Sequence, residues 1–176
     1  SLGVFNSAND VWGVIFYEQL GKEYRKPVFV TFTDETLSGC GGASASTGPF
    51  YCPADEKVYI DLSFFHELAQ RFNAPGELAM AYVTSHEVGH HVQKLLGYLD
   101  YMEQMRRKVS QKEYNELSVR LELQADFFAG IWARKTVEMK IIELEPGDIE
   151  SALGAANAVG DDTLQKRAQG YTVPDS

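Results

Sequence analysis

Residues 76–96 read GELAMAYVTSHEVGHHVQKLL, and the rest of the fold is organised around this stretch. Pro75 before it suits a first helical turn and Gly97 after it suits a stop, which predicts one helix across the run. Inside it lies His86-Glu87-Val88-Gly89-His90, the pattern H-E-x-x-H. On a helix, positions i and i+4 sit about 40° apart in azimuth and one turn apart in height, so both imidazoles project from one face toward one point. That spacing suits two Zn–N bonds of about 2.0–2.1 Å. Glu87 is rotated by about 100° from His86, which places it to reach a water on the metal as general base rather than to ligate. The flanks Ala79 to Val83 (AMAYV) and Val88 are apolar. The helix therefore belongs to the core, where an unpaired His-Glu-His group would be costly. Gly89 costs the helix up to ~1 kcal/mol against Ala, which points to close approach by another element or by substrate.

A zinc site that hydrolyses amides uses three protein ligands and keeps a fourth position open. The third is sought on another helix. Residues 112–140 predict a long amphipathic helix with Leu117, Leu121, Phe128 and Trp132 on one stripe. This helix carries Leu121-Glu122-Leu123-Gln124-Ala125-Asp126, in which Glu122 and Asp126 share a face by i,i+4 spacing. Ala125, Ala129 and Ala133 near that face allow two helices to pack closely. Glu122 is the candidate third ligand. Asp126 is the candidate acceptor for the outer ring nitrogen of a ligand histidine, which would fix its tautomer. The competing reading leaves both residues as solvated charges on an exposed face.

Nearer the N-terminus, residues 8–20 (ANDVWGVIFYEQL) have helical spacing, with Val11, Ile15 and Phe16 on one side, Asp10 as a cap and Gly21 as the end. PVFVTF (27–32) and KVYIDL (57–62) read as strands. The second alternates Val58, Ile60 and Leu62 against Lys57, Tyr59 and Asp61, predicting one buried face and a backbone edge able to hold an extended peptide. A loop-like run rich in Gly, Ser and Pro separates them. Residues 63–72 predict a short helix and 101–109 another. Pro146-Gly147-Asp148 opens a further helix to about Val159, with Asp161-Asp162 as caps and a tail at the end. The expected class is α+β, a small N-terminal β-sheet packed on a mainly helical half. One domain over residues 1–176 is expected for a chain of this length.

Hydrophobic residues make up 44% and charged residues 23%, which excludes a disordered or collagen-like chain. Sixteen Lys and Arg against twenty-five Asp and Glu give a formal net charge of −9. Such a surface repels phosphate backbones and anionic lipid, so neither a nucleic-acid partner nor membrane contact by this chain is expected. No apolar run approaches the roughly 18–20 residues of a spanning helix. Ser1-Leu2-Gly3 does not resemble a signal peptide, and an N-terminal anchor is expected to have been removed if one existed. Cys40 and Cys52 lie in GCGGASASTGPFYCP. A disulfide between them implies an oxidising compartment, whereas free thiols imply the cytosol. A structural zinc site would lack its usual C-x-x-C.

HEVGHHVQ (86–93) with ELQADFFAGIW (122–132) resembles the bacterial neutral zinc metallopeptidase family, a gluzincin-like group. CGG…GPFYCP…VYIDLSFF (40–65) and AANAVGDDTLQ (155–165) extend the resemblance to about residues 5–174. It implies a zincin-like domain and one Zn2+ per chain on His86, His90 and Glu122, with Glu87 as base and Asp126 behind the ligands. It also implies a Cys40–Cys52 disulfide and a cell-envelope, periplasmic or secreted location, often behind an N-terminal anchor. The implied activity is zinc-dependent endopeptidase action on a peptide or protein substrate, through a metal-bound water activated by glutamate. This sequence has a phenylalanine, Phe127 or Phe128, where the family commonly carries a Cys, and the family commonly continues with a histidine-containing segment after the equivalent of Pro174-Asp175-Ser176.

The alternatives are a catalytically silent zinc-binding envelope protein, acting as a binding or regulatory module, and a helical domain with no metal. Intact Glu87 weighs against the silent reading, because a scaffold has no chemical need for a base there. His₂Glu also suits cobalt or manganese. Tyr82, Tyr51 and Tyr114 are the candidate oxyanion donors. His91 and His66 read as structural or solvated histidines, Met102 and Met105 as packing, and Arg106-Arg107-Lys108 as a solvated face.

Overall fold

Phe5, Ala8, Val11, Trp12 and Phe16 recur at helical spacing and all are buried. They organise the first helix, α1 (Leu2–Ile15), and the π-helical turn Phe16–Leu20 that extends it. Gly21 ends the turn at φ 60°, a left-handed conformation that costs glycine little. The sequence pattern places the start of this helix at residue 8. Phe5 continues the same apolar stripe one turn earlier, so the helix begins at Leu2. Asp10 consequently lies inside α1 rather than at its cap, exposed and 3.8 Å from Lys26 Nζ. The computed structural model describes residues 2–44, 48–72, 76–138, 146–148, 150 and 152–154.

Among the described residues five strands follow: β1 (Val28–Phe32), β2 (Glu35–Ser38), β3 (Gly41–Ser44), β4 (Phe50–Cys52) and β5 (Lys57–Asp61). β5 is central, parallel to β1 and antiparallel to β4. β2 and β3 form a separate antiparallel hairpin. The loop-like run therefore holds two short strands among its described residues, β3 and β4, with β2 just before it. Glycine and serine favour strands weakly on their own, and here cross-links override that preference. The Cys40–Cys52 disulfide ties the hairpin to β4. Asp55 accepts hydrogen bonds from Gly39 N at 2.8 Å and from the Tyr59 hydroxyl at 2.6 Å.

The central place of β5 corrects two expectations. KVYIDL offers no free edge, because residues 57–61 pair with β1 and 57–59 with β4, so the sheet's outer edges belong to β1 and β4. Nor has it a single buried face: Val58, Tyr59, Ile60 and Asp61 are all buried. Val58 and Ile60 join the main core, while Tyr59 packs with Phe32 and Cys52 on the other side. Leu62 is exposed and begins α2 (Leu62–Phe72). Asp61 Oδ1 caps that helix, accepting from Ser63 N at 2.9 Å and Ser63 Oγ at 2.6 Å.

The helical half includes α3 (Gly76–Leu95), α4 (Tyr98–Lys108) and α5 (Gln111–Glu138). Gly97, at φ 89°, turns the chain between α3 and α4. Residues 148, 150 and 152–154 are helical. The remainder of the helix expected to Val159, with Asp161-Asp162 and the tail, lies outside the described residues. α3 is the hub, touching the other helices and strands β4 and β5. Val83, Val88 and Val92 of α3 meet Phe5 and Trp12 of α1, Val58 and Ile60 of β5, and Trp132 of α5 in one core. Each large side chain buried this way contributes roughly 1.5–3 kcal/mol. The architecture is α+β, as expected. Among the described residues no helix is long and apolar enough to cross a membrane.

The disulfide settles the cysteine alternatives, and a bond of this kind points to an oxidising compartment. Its loop is worth about 3 kcal/mol in the chain-entropy account. The double variant Cys40→Ser/Cys52→Ser is expected to lose about that much unfolding free energy in urea titrations. An unchanged midpoint would show that the hairpin and β4 hold together without the cross-link.

Candidate metal centre

The site depends on how closely two helix backbones approach. A Cβ placed at Gly89 of α3 would lie 3.1 Å from the carbonyl oxygen of Ala125 and 3.4 Å from its Cα. Glycine here permits the contact that its mid-helix position predicts, and the neighbouring element is α5. The buried line of α5 is Ser118, Glu122, Ala125, Ala129, Trp132 and Thr136. The stripe expected from sequence is therefore off-centre. Trp132 is fully buried, while Leu117, Leu121 and Phe128 flank the seam half-buried. Small residues let the helices close, and the carboxylate of Glu122 enters between them.

His86 Nε2 lies 3.2 Å and His90 Nε2 3.3 Å from the same oxygen, Glu122 Oε2. The two rings stand perpendicular with centroids 4.7 Å apart. One ligand atom from each of the three residues falls within 4.8 Å of the others, and all three residues are buried. The outer nitrogens are engaged elsewhere. His86 Nδ1 donates to Asp126 Oδ1 at 2.8 Å. His90 Nδ1 donates to Gln93 Oε1 at 2.8 Å. The orientation of that amide is fixed, because Gln93 Nε2 donates to the Leu121 carbonyl at 2.7 Å and to Gln124 Oε1 at 2.9 Å.

Both ring protons are thereby held on Nδ1, and both Nε2 lone pairs face the Glu122 carboxylate. Three acceptors buried together repel one another unless a positive species lies among them. The donor set fits a divalent cation of the zinc, cobalt or manganese kind. His86, His90 and Glu122 could hold such an ion.

Without a cation the same point attracts a proton. Burial opposes charge on His86, but the hydrogen bonds to Asp126 and Glu122 and the charge of Glu87 outweigh it, lifting the pKa to about 10. Tyr82 donates its hydroxyl to Asp126. Burial, followed by that bond, keeps the phenol protonated far above its ordinary range. Glu87, itself buried, acts through its charge on both Tyr82 and His86.

The remaining candidates separate cleanly. Tyr82 is directed at Asp126 and supports it. Tyr51 donates its hydroxyl to His91 Nδ1 at 2.7 Å, and His91 Nε2 donates to the Arg25 carbonyl at 2.6 Å. Burial pushes the His91 pKa down, so the ring is neutral. His91 is thus the structural residue anticipated, tying β4 and the segment before β1 to α3. Tyr114 lines a cavity beside His90. His66 is exposed on α2, and Met102 is buried as packing. Arg106, expected on a solvated face, also lines that cavity. Gln93 is a supporting residue that the sequence motifs do not single out. Its signal is spacing: it lies three positions after His90, on the same helical face.

Two outcomes test this geometry. Gln93→Ala leaves His90 Nδ1 without its acceptor, so metal affinity is expected to fall about 10- to 100-fold in competition with a chromophoric chelator. Unchanged affinity would show that the amide does not support the site. His86 is protonated at neutral pH in the metal-free chain because its pKa is about 10. Metal binding must displace that proton, so about one proton per ion is released from His86 at pH 7, and apparent affinity rises as pH rises toward 10. Calorimetry in two buffers of different ionisation enthalpy measures the release, and its absence would show that His86 is neutral before the ion arrives.

The chain is 49% identical over 173 residues to "Uncharacterized protein YpfJ" of Escherichia coli (strain K12), covering 98% of this chain and 59% of that protein. It is 41% identical over 180 residues to "Uncharacterized protein Mb2605" of Mycobacterium bovis and to "Uncharacterized protein Rv2575" of Mycobacterium tuberculosis, covering 97% of this chain and 58% of each. The chain thus spans less than two thirds of the length of these relatives. No solved structure matches it significantly. Residues 2–176 match the pattern of the family described as "Putative neutral zinc metallopeptidase", and the chain belongs to that family.

Proposed function

We propose that this chain is the zinc-dependent, peptide-hydrolysing part of an endopeptidase, with Glu87 as its base. The observation that carries the reading is the aim of two Nε2 lone pairs and the Glu122 carboxylate at one buried point, with buried Glu87 adjacent in sequence to His86. Zinc bound there supplies a Lewis acid for the scissile carbonyl and lowers the pKa of water toward about 7. Asp126 and Gln93 hold the histidines in the ligating tautomer. Glu87 takes the proton of the attacking water and returns it to the leaving amine. Its position one residue after His86 turns it away from the ligand set. The outer edge of β4, the strand beside α3, is the edge for an extended peptide to follow, in place of the central β5. A location in the cell envelope or outside the cell agrees with the disulfide and forms part of the proposal.

Glu87→Gln is expected to retain zinc and to lose hydrolysis of an unstructured protein such as casein by about 10²- to 10⁴-fold. Unchanged turnover would reject the base assignment. Glu122→Ala is expected to bind zinc far more weakly, and full occupancy would reject the third ligand. A zinc-loaded chain that cleaves nothing, with all three ligands confirmed, would support the silent binding module instead.

A further inference from the structure

A cavity of about 280 Å³ opens beside the metal centre, and the ring of His90 forms part of its wall. Tyr51 of β4, Leu99 and Met102 of α4, and Tyr114 and Leu121 of α5 also line it. The space is open to solvent on one side, so a substrate side chain can enter it from the surface. Its floor is apolar, with Met102 buried and Leu99 and Leu121 half-buried. Two of the hydroxyl groups around it are already engaged. Ser118 Oγ donates to the Tyr114 carbonyl at 3.0 Å, and the Tyr51 hydroxyl donates to His91. The rim carries charge: the Arg106 guanidinium lies 5.5 Å from the centroid of the Tyr114 ring and 3.9 Å from Glu103 Oε2.

Resting on the peptidase reading of the centre, we propose that this cavity selects the substrate by taking a bulky apolar or aromatic side chain from the residue next to the scissile bond. A carbonyl held at the point shared by His86, His90 and Glu122 brings its neighbouring side chain against His90, which is the wall of the cavity. A charged side chain would lose hydration against Leu99, Met102 and Leu121, and the Arg106 guanidinium at the rim already lies beside Glu103. A methyl group would leave the space largely empty and forgo its contacts. A planar ring fills it and can lie against Tyr51 and Tyr114. Arg106, held over Tyr114, stays at the mouth.

The test uses the zinc-loaded chain and simple amino-acid hydroxamates, whose binding needs no turnover. Calorimetry is expected to show phenylalanine hydroxamate binding about 10- to 100-fold tighter than glycine hydroxamate, the factor for burying one large apolar side chain. Aspartate hydroxamate is expected to bind no better than the glycine compound. Met102→Trp fills the cavity and should bring the phenylalanine and glycine compounds close to parity, with one zinc per chain retained. Leu99→Trp serves if that variant fails to fold. Equal affinity of the two compounds for the unaltered chain overturns the pocket, as does tighter binding of aspartate, which would make Arg106 the selecting group. Peptides differing by Phe or Ala beside the cleaved bond provide the second arm. Cleavage without preference rejects the pocket. No cleavage of any peptide, with the hydroxamate preference intact, rejects the peptidase reading and leaves the pocket standing.

Discussion

Two imidazole nitrogens and a carboxylate oxygen, all acceptors, lie within 4.8 Å of one another on three buried side chains in the seam between α3 and α5. Such an arrangement is unfavourable on its own and persists because something positive belongs at its centre. Much of the surrounding architecture can be understood as holding that unfavourable arrangement in place. Asp126 and Gln93 fix the outer nitrogens, Leu121 and Gln124 fix Gln93, and Tyr82 supports Asp126. Each bond restricts one rotation that would otherwise let a ring turn away.

The backbone supplies the second level of constraint. Gly89 lets α3 approach Ala125 closely enough for the Glu122 side chain to reach both histidines. His91 anchors the opposite side of α3 to β4 and to the chain before β1. Adjacent histidines thus serve different ends, His90 facing the centre and His91 the sheet, because successive helical positions point about 100° apart.

The parts of the fold legible in the sequence are those governed by local spacing. The helix pair, the H-E-x-x-H face and the Glu122–Asp126 face all follow from a 3.6-residue period, and the structure brings them together. The parts that escape depend on long-range pairing. Nothing within KVYIDL marks it as the central strand, since that depends on where β1 and β4 dock. The strands between residues 35 and 52 have weak intrinsic preference and rely on the disulfide and on Asp55. Gln93 is inconspicuous for another reason. A glutamine in a helix is usually solvated, and its role becomes visible once Leu121 and Gln124 are known to lie opposite.

The two acceptors behind the histidines differ in charge, Asp126 being an anion and Gln93 neutral. A doubly charged ion at the centre is therefore matched by Glu122 and Asp126 together, and that group has no net charge. A singly charged ion would leave a buried excess of negative charge, and a triply charged one an excess of positive charge. Electroneutrality at this point thus discriminates by valence before ionic size or geometry is considered.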